Sequence, residues 1–170
     1  MRKMHKTIKD YIYENLNPNE QQTALEFVVF LEENGMTFYK DNGECWKSKI
    51  YYWVKINDEC VCFIAIKDPD EAKEALNNNH WTVWSDDLSS KCLNSIEVED
   101  DIKEAAWKYA DRCGHCGSCS GGRKKIIFGR EFSDICGCTF RIDNPSSSDL
   151  KFLKHMVHMR INEIKKQPEK

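Results

Sequence analysis

The segment 50–66 constrains the fold of this chain more than any other. Every second residue from 50 to 56 is apolar, which is the period of a β-strand: Ile50, Tyr52, Val54 and Ile56. Asn57 and Asp58 then supply a turn signal. Residues 60–66 are nearly all apolar, as expected of a central strand that is buried on both faces. The pattern predicts a β-hairpin.

Helical patterns precede this hairpin. Asn17, Pro18 and Glu20 have the signature of a helix start with a capping box, and Gly35 is suited to end that helix. Further upstream, apolar residues recur four apart, at Met4, Ile8, Ile12 and Leu16. This spacing predicts a short amphipathic helix, which we expect to be an N-terminal extension over residues 1–16.

The second half of the chain combines strand and helix patterns. Strands are predicted at 81–84, 124–128 and 135–142, and helical spacing predicts a helix over 100–112 that leads into a cysteine-rich segment. A last helix begins near Leu150, capped by Ser148 or by Ser146 with Asp149. Helices that flank hairpin-linked strands favour an α+β fold with a largely antiparallel sheet. The length suits a single domain, 1–170, with a cysteine-rich metal-binding insert at 113–138.

Five of the nine cysteines fall within 26 consecutive residues: Cys113, Cys116, Cys119, Cys136 and Cys138. Their spacing is C-x2-C-x2-C-x16-C-x-C, and paired thiols at short separations are the usual layout of a zinc site. Zinc takes four tetrahedral ligands, so four of the five cysteines would bind and one would be left over. The sequence therefore predicts a structural zinc site, without deciding which four thiols form it.

Two other chemistries use the same residues. C-x2-C-x2-C is also the start of an iron–sulfur motif, although its usual Cys-Pro ligand is missing here. A C-x2-C thiolate is redox-active when a helix N-terminus activates it, whereas this cluster is predicted to follow a helix C-terminus. No catalytic motif for hydrolysis, phosphate binding or dinucleotide binding is present. We therefore expect a non-enzymatic binding domain, with a thiol-redox or iron–sulfur protein or sensor as the alternative.

Tryptophans concentrate in the strand region. Trp46, Trp53 and Trp84 are candidate ligand-binding residues, because aromatic side chains on one sheet face can line a pocket for a small molecule. Large aromatic side chains also dominate protein cores, so the same residues are compatible with packing alone.

The charge balance bears on the class of partner. The formal net charge is −3, whereas binding to nucleic acid or to an anionic membrane generally requires a basic face. A basic segment follows the cysteines, and we interpret it as a solvated strand entry: Arg123, Lys124, Lys125 and Arg130. The expected partner is a small molecule or a protein, rather than a nucleic acid or a membrane.

The N-terminal residues and the cysteine count bear on localisation. The first 16 residues contain no uninterrupted apolar segment, so we expect no signal peptide. No stretch approaches the roughly 20 apolar residues of a membrane span. We therefore expect the cytoplasm, where thiols stay reduced, and an odd number of cysteines agrees with this because disulfides use cysteines in pairs.

Several segments together resemble a group of small uncharacterised bacterial cytoplasmic proteins with the same cysteine run. The resembling stretches span about residues 25–165 and include FLEENGMTFYK, KSKIYYWVKINDECVCFIAIKDPDE, WTVWSDD, CGHCGSCSGG, IIFGREF and CGCTFRIDNP. The resemblance implies that the cysteine cluster is a recurring design and that the first helix is an extension. It implies no activity and assigns no role to any residue.

Overall fold

A computed structural model describes residues 4–41, 49–67, 79–114 and 120–166, with only the backbone of Lys49 included. The helices are α1 (Ile8–Asn15), α2 (Pro18–Glu33), α3 (Ser90–Asn94), α4 (Asp100–Tyr109) and α5 (Leu150–Lys166). The strands are β1 (Thr37–Asp41), β2 (Lys49–Ile56), β3 (Glu59–Lys67), β4 (Trp81–Ser85), β5 (Ala110–Arg112), β6 (Arg123–Ile127) and β7 (Arg130–Asp143). No helix in the described ranges has both the length and the apolar composition needed to cross a bilayer.

The strands form a sheet in the order β1-β2-β3-β4-β7-β5, with β6 also paired to β7. The pairs β1–β2, β2–β3, β5–β7 and β6–β7 are antiparallel. Helices lie before, between and after these strands along the chain. The predicted α+β fold with a largely antiparallel sheet is therefore confirmed.

Contacts within the chain divide it into two compact units. Unit 1 comprises Met1–Val83 and Asp143–Leu150, and unit 2 comprises Trp84–Ile142 and Lys151–Lys170. The expectation of one domain over residues 1–170 stays a prediction.

The central feature of unit 1 is the hairpin of β2 and β3. Ile56 pairs with Glu59, which leaves a two-residue turn at Asn57 and Asp58. Both turn residues have positive φ, 48° and 66°, as in the type I′ turn that matches the twist of the flanking strands. Asn and Asp tolerate this backbone better than most residues do. The run Val61–Ile66 is buried throughout, as the uninterrupted apolar pattern predicts.

The α2 helix of unit 1 begins and ends as its sequence predicts. The Asn17 side chain accepts from the Glu20 N–H at 2.9 Å, and the Glu20 carboxylate accepts from the Asn17 N–H at 3.1 Å. Gly35, with φ +80°, follows the C-cap, and the Met36 N–H donates to the Leu31 carbonyl at 3.1 Å. These contacts are a capping box and a Schellman motif, so backbone groups at both helix ends are paired.

Unit 2 corrects the predicted helix over 100–112. The α4 helix ends at Tyr109, and Ala110–Arg112 form the short strand β5 instead. Ala110 pairs with Phe140 and Arg112 pairs with Ile135 of β7. Helical spacing of a few residues at a helix end is weak evidence, and hydrogen bonding to a neighbouring strand overrides it. The cysteine cluster therefore follows a strand, not a helix C-terminus.

The β6 and β7 strands of unit 2 form a second hairpin. Ile127 pairs with Arg130, and the turn residues Phe128 and Gly129 have φ values of 46° and 83°. The α5 helix packs an apolar face against β7. Phe152 of that face packs edge-on against Phe140 of β7, with ring centroids 5.3 Å apart.

Candidate metal centre

The candidate site is built on an irregular stretch of β7. The β5 strand pairs with β7 at two places: Arg112 pairs with Ile135, and Ala110 pairs with Phe140. The ladder thus spans two residue steps on β5 and five on β7, so β7 bulges outward from its partner. Bulges of this kind redirect side chains and are over-represented next to functional sites. Cys136 and Cys138 both lie within this stretch, which we call the β7 bulge and define as residues 135–139.

Residues with left-handed backbone flank the two cysteines. Asp134 has φ +60°, and Thr139 has φ +62° while its side chain is completely buried. Positive φ is rare for a β-branched residue such as Thr, and a residue in such a region costs about 1–3 kcal/mol. It persists only where surrounding contacts impose it, and such residues gather at functional sites.

The bulge brings two thiols together. Cys136 and Cys138 are reduced and half-buried, and their thiols lie close enough to interact electrostatically. Burial raises the pKa of the Cys138 thiol well above its usual range, and the negative charges of Cys136 and Asp86 raise it further. An activated redox thiol requires a lowered pKa, so this environment does not favour nucleophilic chemistry at Cys138.

Two acidic groups lie near Cys138. Asp86 and Asp111 both act on Cys138 through their negative charges. Asp86 also accepts a hydrogen bond from the Arg160 guanidinium at 3.3 Å. The negative charges of Asp86 and Asp111 would stabilise a cation bound at the thiols. Such a cation would offset the free-energy cost of deprotonating the half-buried thiols.

Asp134 contacts the chain on both sides of the segment that carries the remaining predicted ligands. Its carbonyl accepts from the Cys113 N–H at 2.7 Å. Gly122 packs so closely on it that a Cβ there would lie 2.7 Å from the Asp134 carbonyl carbon. The predicted ligands Cys116 and Cys119 lie outside the described residues. In the sequence, they fall between Cys113 and Gly122.

The described residues thus bring together part of the predicted ligand set. Cys136 and Cys138 are side by side, and Cys113 lies at the end of β5, which pairs with β7. Over residues 4–41, 49–67, 79–114 and 120–166, no three His, Cys, Asp or Glu side chains lie close enough together to hold a metal ion. A complete tetrahedral site would therefore need at least two ligands from outside the described residues, and Cys116 and Cys119 are the predicted candidates.

Sequence reasoning missed a buried polar network next to the thiol pair. The sequence predicts that Lys125 belongs to a solvated basic segment, but this residue is only 5% exposed, so the prediction is wrong for Lys125. Its ammonium donates to the carboxylate of Asp87, to the Leu88 carbonyl at 2.7 Å and to the Thr139 hydroxyl at 2.9 Å. Strand alternation could have indicated its inward orientation, because Lys125 shares a face of β6 with the fully buried Ile127.

Ser85 is the second missed residue. It is fully buried in β4, and its hydroxyl donates to the Cys138 carbonyl while accepting from the Phe140 N–H at 3.1 Å. A serine inside an apolar strand carries no distinctive sequence signal.

The predicted ligand-binding tryptophans lie in different settings. Trp53 of β2, in unit 1, is 37% exposed, packs edge-on against Phe63 and donates its indole N–H to Asp41 at 2.9 Å. Trp84 of β4, in unit 2, is buried, and the Arg141 guanidinium lies 5.4 Å from its ring centroid. Trp46 lies outside the described residues. A role of these residues in ligand binding stays a prediction.

Comparison with known proteins adds no family assignment. No family model, no curated protein and no solved structure matches the chain.

Proposed function

We propose that this chain is a zinc-binding protein in which four of five cysteines hold a structural metal ion: Cys113, Cys116, Cys119, Cys136 and Cys138. The observation that supports the proposal is the position of Asp134. It contacts Cys113 and Gly122, the two sides of the segment with the other cysteines, and it lies two residues from Cys136.

The arrangement of the described residues supports this proposal in part. A tetrahedral zinc centre needs ligands from separate segments to converge within about 4 Å of one another, which follows from a Zn–S distance of about 2.3 Å. Cys136 and Cys138 already supply an adjacent pair from one strand. Cys113 directly follows the neighbouring strand β5, and the carboxylates of Asp86 and Asp111 favour a cation in this region. Because no three of the described side chains converge, Cys116 and Cys119 would supply the remaining ligands.

The metal in this proposal contributes stability, not catalysis. Binding free energy at a site that is absent from the unfolded chain is folding free energy, so bound zinc would stabilise the folded protein. A closed set of four thiolates leaves no open position for a substrate, as is usual for structural zinc. The protein would act by binding a small molecule or another protein, in the reducing cytoplasm where thiolate ligands persist.

Metal analysis of reduced protein, together with two matched cysteine variants, tests the proposal. We expect about one zinc per chain and no visible absorbance. Cys138→Ser should lose most of the zinc and unfold at a lower temperature. Cys92→Ser is the control, because Cys92 is another half-buried thiol of unit 2, outside the cluster, and its Sγ donates to the Met159 carbonyl at 3.7 Å.

Three results would contradict this proposal. Wild-type protein without metal would leave the cluster as thiols. Iron with a broad visible absorbance would assign the same residues to an iron–sulfur cluster. Equal zinc content in Cys138→Ser and Cys92→Ser would place the metal elsewhere in the chain.

A further inference from the structure

The β7 bulge rests on two buried polar side chains that reach it from other strands. Ser85 extends from β4, and Lys125 extends from β6. Both are shielded from water, with exposures of 0% and 5%. Polar groups are buried only where hydrogen bonds compensate for lost hydration, so their partners indicate what they do.

The Ser85 hydroxyl connects the two sides of Thr139. It donates to the carbonyl of Cys138 and accepts from the N–H of Phe140. These are the backbone groups that flank Thr139. The Ser85 hydroxyl thus replaces the backbone hydrogen-bond partners that a neighbouring strand would supply in a regular ladder. It also fixes the orientation of the peptide group between Cys138 and Thr139.

Lys125 contacts Thr139 as well, through the Thr139 side chain. The ammonium has three hydrogen atoms and three acceptors: the Asp87 carboxylate, the Leu88 carbonyl and the Thr139 hydroxyl. The Leu88 N–H also donates to the Thr139 hydroxyl, at 3.2 Å. Two donors therefore converge on one side-chain oxygen of a residue whose backbone is left-handed.

We infer that Ser85 and Lys125 are positioning residues for the cysteine pair of the proposed metal site. Together they hold Thr139 in a conformation that a threonine does not adopt without such support, and this conformation keeps Cys138 beside Cys136 before any metal binds. The inference rests on the proposed zinc site for its consequence in metal affinity, but the positioning of the two thiols is a property of the protein alone.

The expected consequence is a tighter metal site. A preorganised pair of ligands loses less conformational freedom on binding than a mobile pair does. Residues that orient metal ligands typically contribute about 10–100-fold to metal affinity, and we expect an effect of this size here. A purely structural role would lower the stability of the fold and leave the affinity of the folded protein for metal unchanged.

The test compares zinc affinity, by competition with a chromophoric chelator, in wild-type protein and in Ser85→Ala. We expect a loss of about 10–100-fold, together with a changed cobalt(II) absorption spectrum. Ser85→Thr keeps the hydroxyl and should restore most of the affinity. Thr82→Val is the matched control on the same strand, since Thr82 is buried and donates to Asp143 at 2.9 Å in unit 1. Equal affinity in wild-type and Ser85→Ala protein would overturn the inference.

Alkylation of metal-free, reduced protein separates this inference from the proposed function. Ser85→Ala should alkylate Cys138 several-fold faster than wild type, with Cys92 as the internal reference in the same mass-spectrometric map. If wild-type protein binds no zinc but the alkylation rates differ, the proposed zinc site fails while the positioning stands. If Cys138 is alkylated at the same rate in Ser85→Ala and in wild type, Ser85 does not position the thiol pair and the inference is wrong.

Lys125→Met provides an independent variant if Ser85→Ala does not fold. It removes the ammonium while keeping an unbranched apolar side chain, and it leaves the Ser85 bonds intact. The same losses in zinc affinity and in protection of Cys138 are expected, and wild-type values for both would also overturn the inference.

Discussion

At the scale of single residues, the candidate site depends on two positions where the backbone leaves no freedom. Thr139 has a left-handed backbone inside a β-strand, and Gly122 packs directly on the backbone of Asp134. Neither residue is a candidate ligand. Each determines where a candidate ligand lies, because Thr139 follows Cys138 and Gly122 contacts the residue whose carbonyl binds the Cys113 N–H.

Gly122→Ala is predicted to destabilise the protein by about 1–3 kcal/mol and to weaken metal binding. The added Cβ would lie 2.7 Å from the Asp134 carbonyl carbon and 2.8 Å from its Cα, and these are backbone atoms that cannot rotate away. Urea unfolding and zinc competition measure the two effects.

Gly114→Ala is the control for this substitution, because a Cβ at Gly114 would meet nothing within 4 Å. It should remain within about 0.5 kcal/mol of wild type, as exposed substitutions usually do. Equal stability of the Gly122→Ala and Gly114→Ala variants would show that Asp134 can move away, and the contact would then not fix the site.

At the scale of elements, turns and caps determine where each helix and strand begins and ends. The predicted strand over 124–128 ends one residue early, since Phe128 instead takes φ +46° in the turn to Gly129. Phenylalanine is common in β-strands, so the sequence predicts that the strand includes Phe128. The two-residue connection to β7 instead places Phe128 in a turn with positive φ at both positions. The Asn57–Asp58 turn has the same geometry and was recognised because its residues favour it.

Asn17→Ala is predicted to destabilise unit 1 by about 0.5–2 kcal/mol, as loss of an N-cap generally does. The substitution removes the acceptor of the Glu20 N–H and so breaks one half of the capping box at the start of α2. Thermal or urea unfolding measures the change.

Two further variants at the same helix end serve as controls. Asn17→Asp keeps a capping oxygen and should retain most of the stability. Asn19→Ala changes an exposed residue two positions later and should have an effect below about 0.5 kcal/mol. An Asn17→Ala variant no less stable than Asn19→Ala would refute a stabilising role of the cap.

At the scale of the whole molecule, stability depends on pH through titratable groups that are partly shielded from water, such as the half-buried His155 of α5. Burial lowers the pKa of His155 below its usual 6.5, and the positive charges of His158 and Lys151 lower it further, while Glu99 and Asp101 oppose the shift. The unfolded chain therefore takes up a proton at higher pH than the folded protein does. The free energy of unfolding should fall as the pH drops below about 6.5 towards the folded-state pKa.

His155→Gln is predicted to reduce this loss of stability, because glutamine does not titrate. Urea unfolding of wild type and variant at pH 7.5 and pH 5.5 measures the difference, and His5→Gln, at an exposed position, is the control. If wild type and His155→Gln lose the same stability between the two pH values, His155 does not contribute to the acid sensitivity.

Features that arise within a single segment could be predicted from the amino-acid sequence. The hairpin of β2 and β3, both ends of α2 and the strand at 81–84 follow from short-range patterns: apolar periodicity, capping residues and turn residues. The cysteine spacing likewise predicts one candidate site. Five potential ligands within one short segment can be recognised without knowledge of the rest of the fold. These signals are readable because the interacting residues are neighbours in the chain.

The contacts that support the candidate site depend on the tertiary fold. The end of α4 at Tyr109, the bulge in β7 and the burial of Lys125 each depend on residues distant in sequence. Ser85 and Cys138 are 53 positions apart, and Lys125 is 37 positions from Leu88. Periodicity reports whether a segment faces a core or water, but not which strands pair or in which register. The contacts that orient the cysteines therefore become visible only when the strands are assembled.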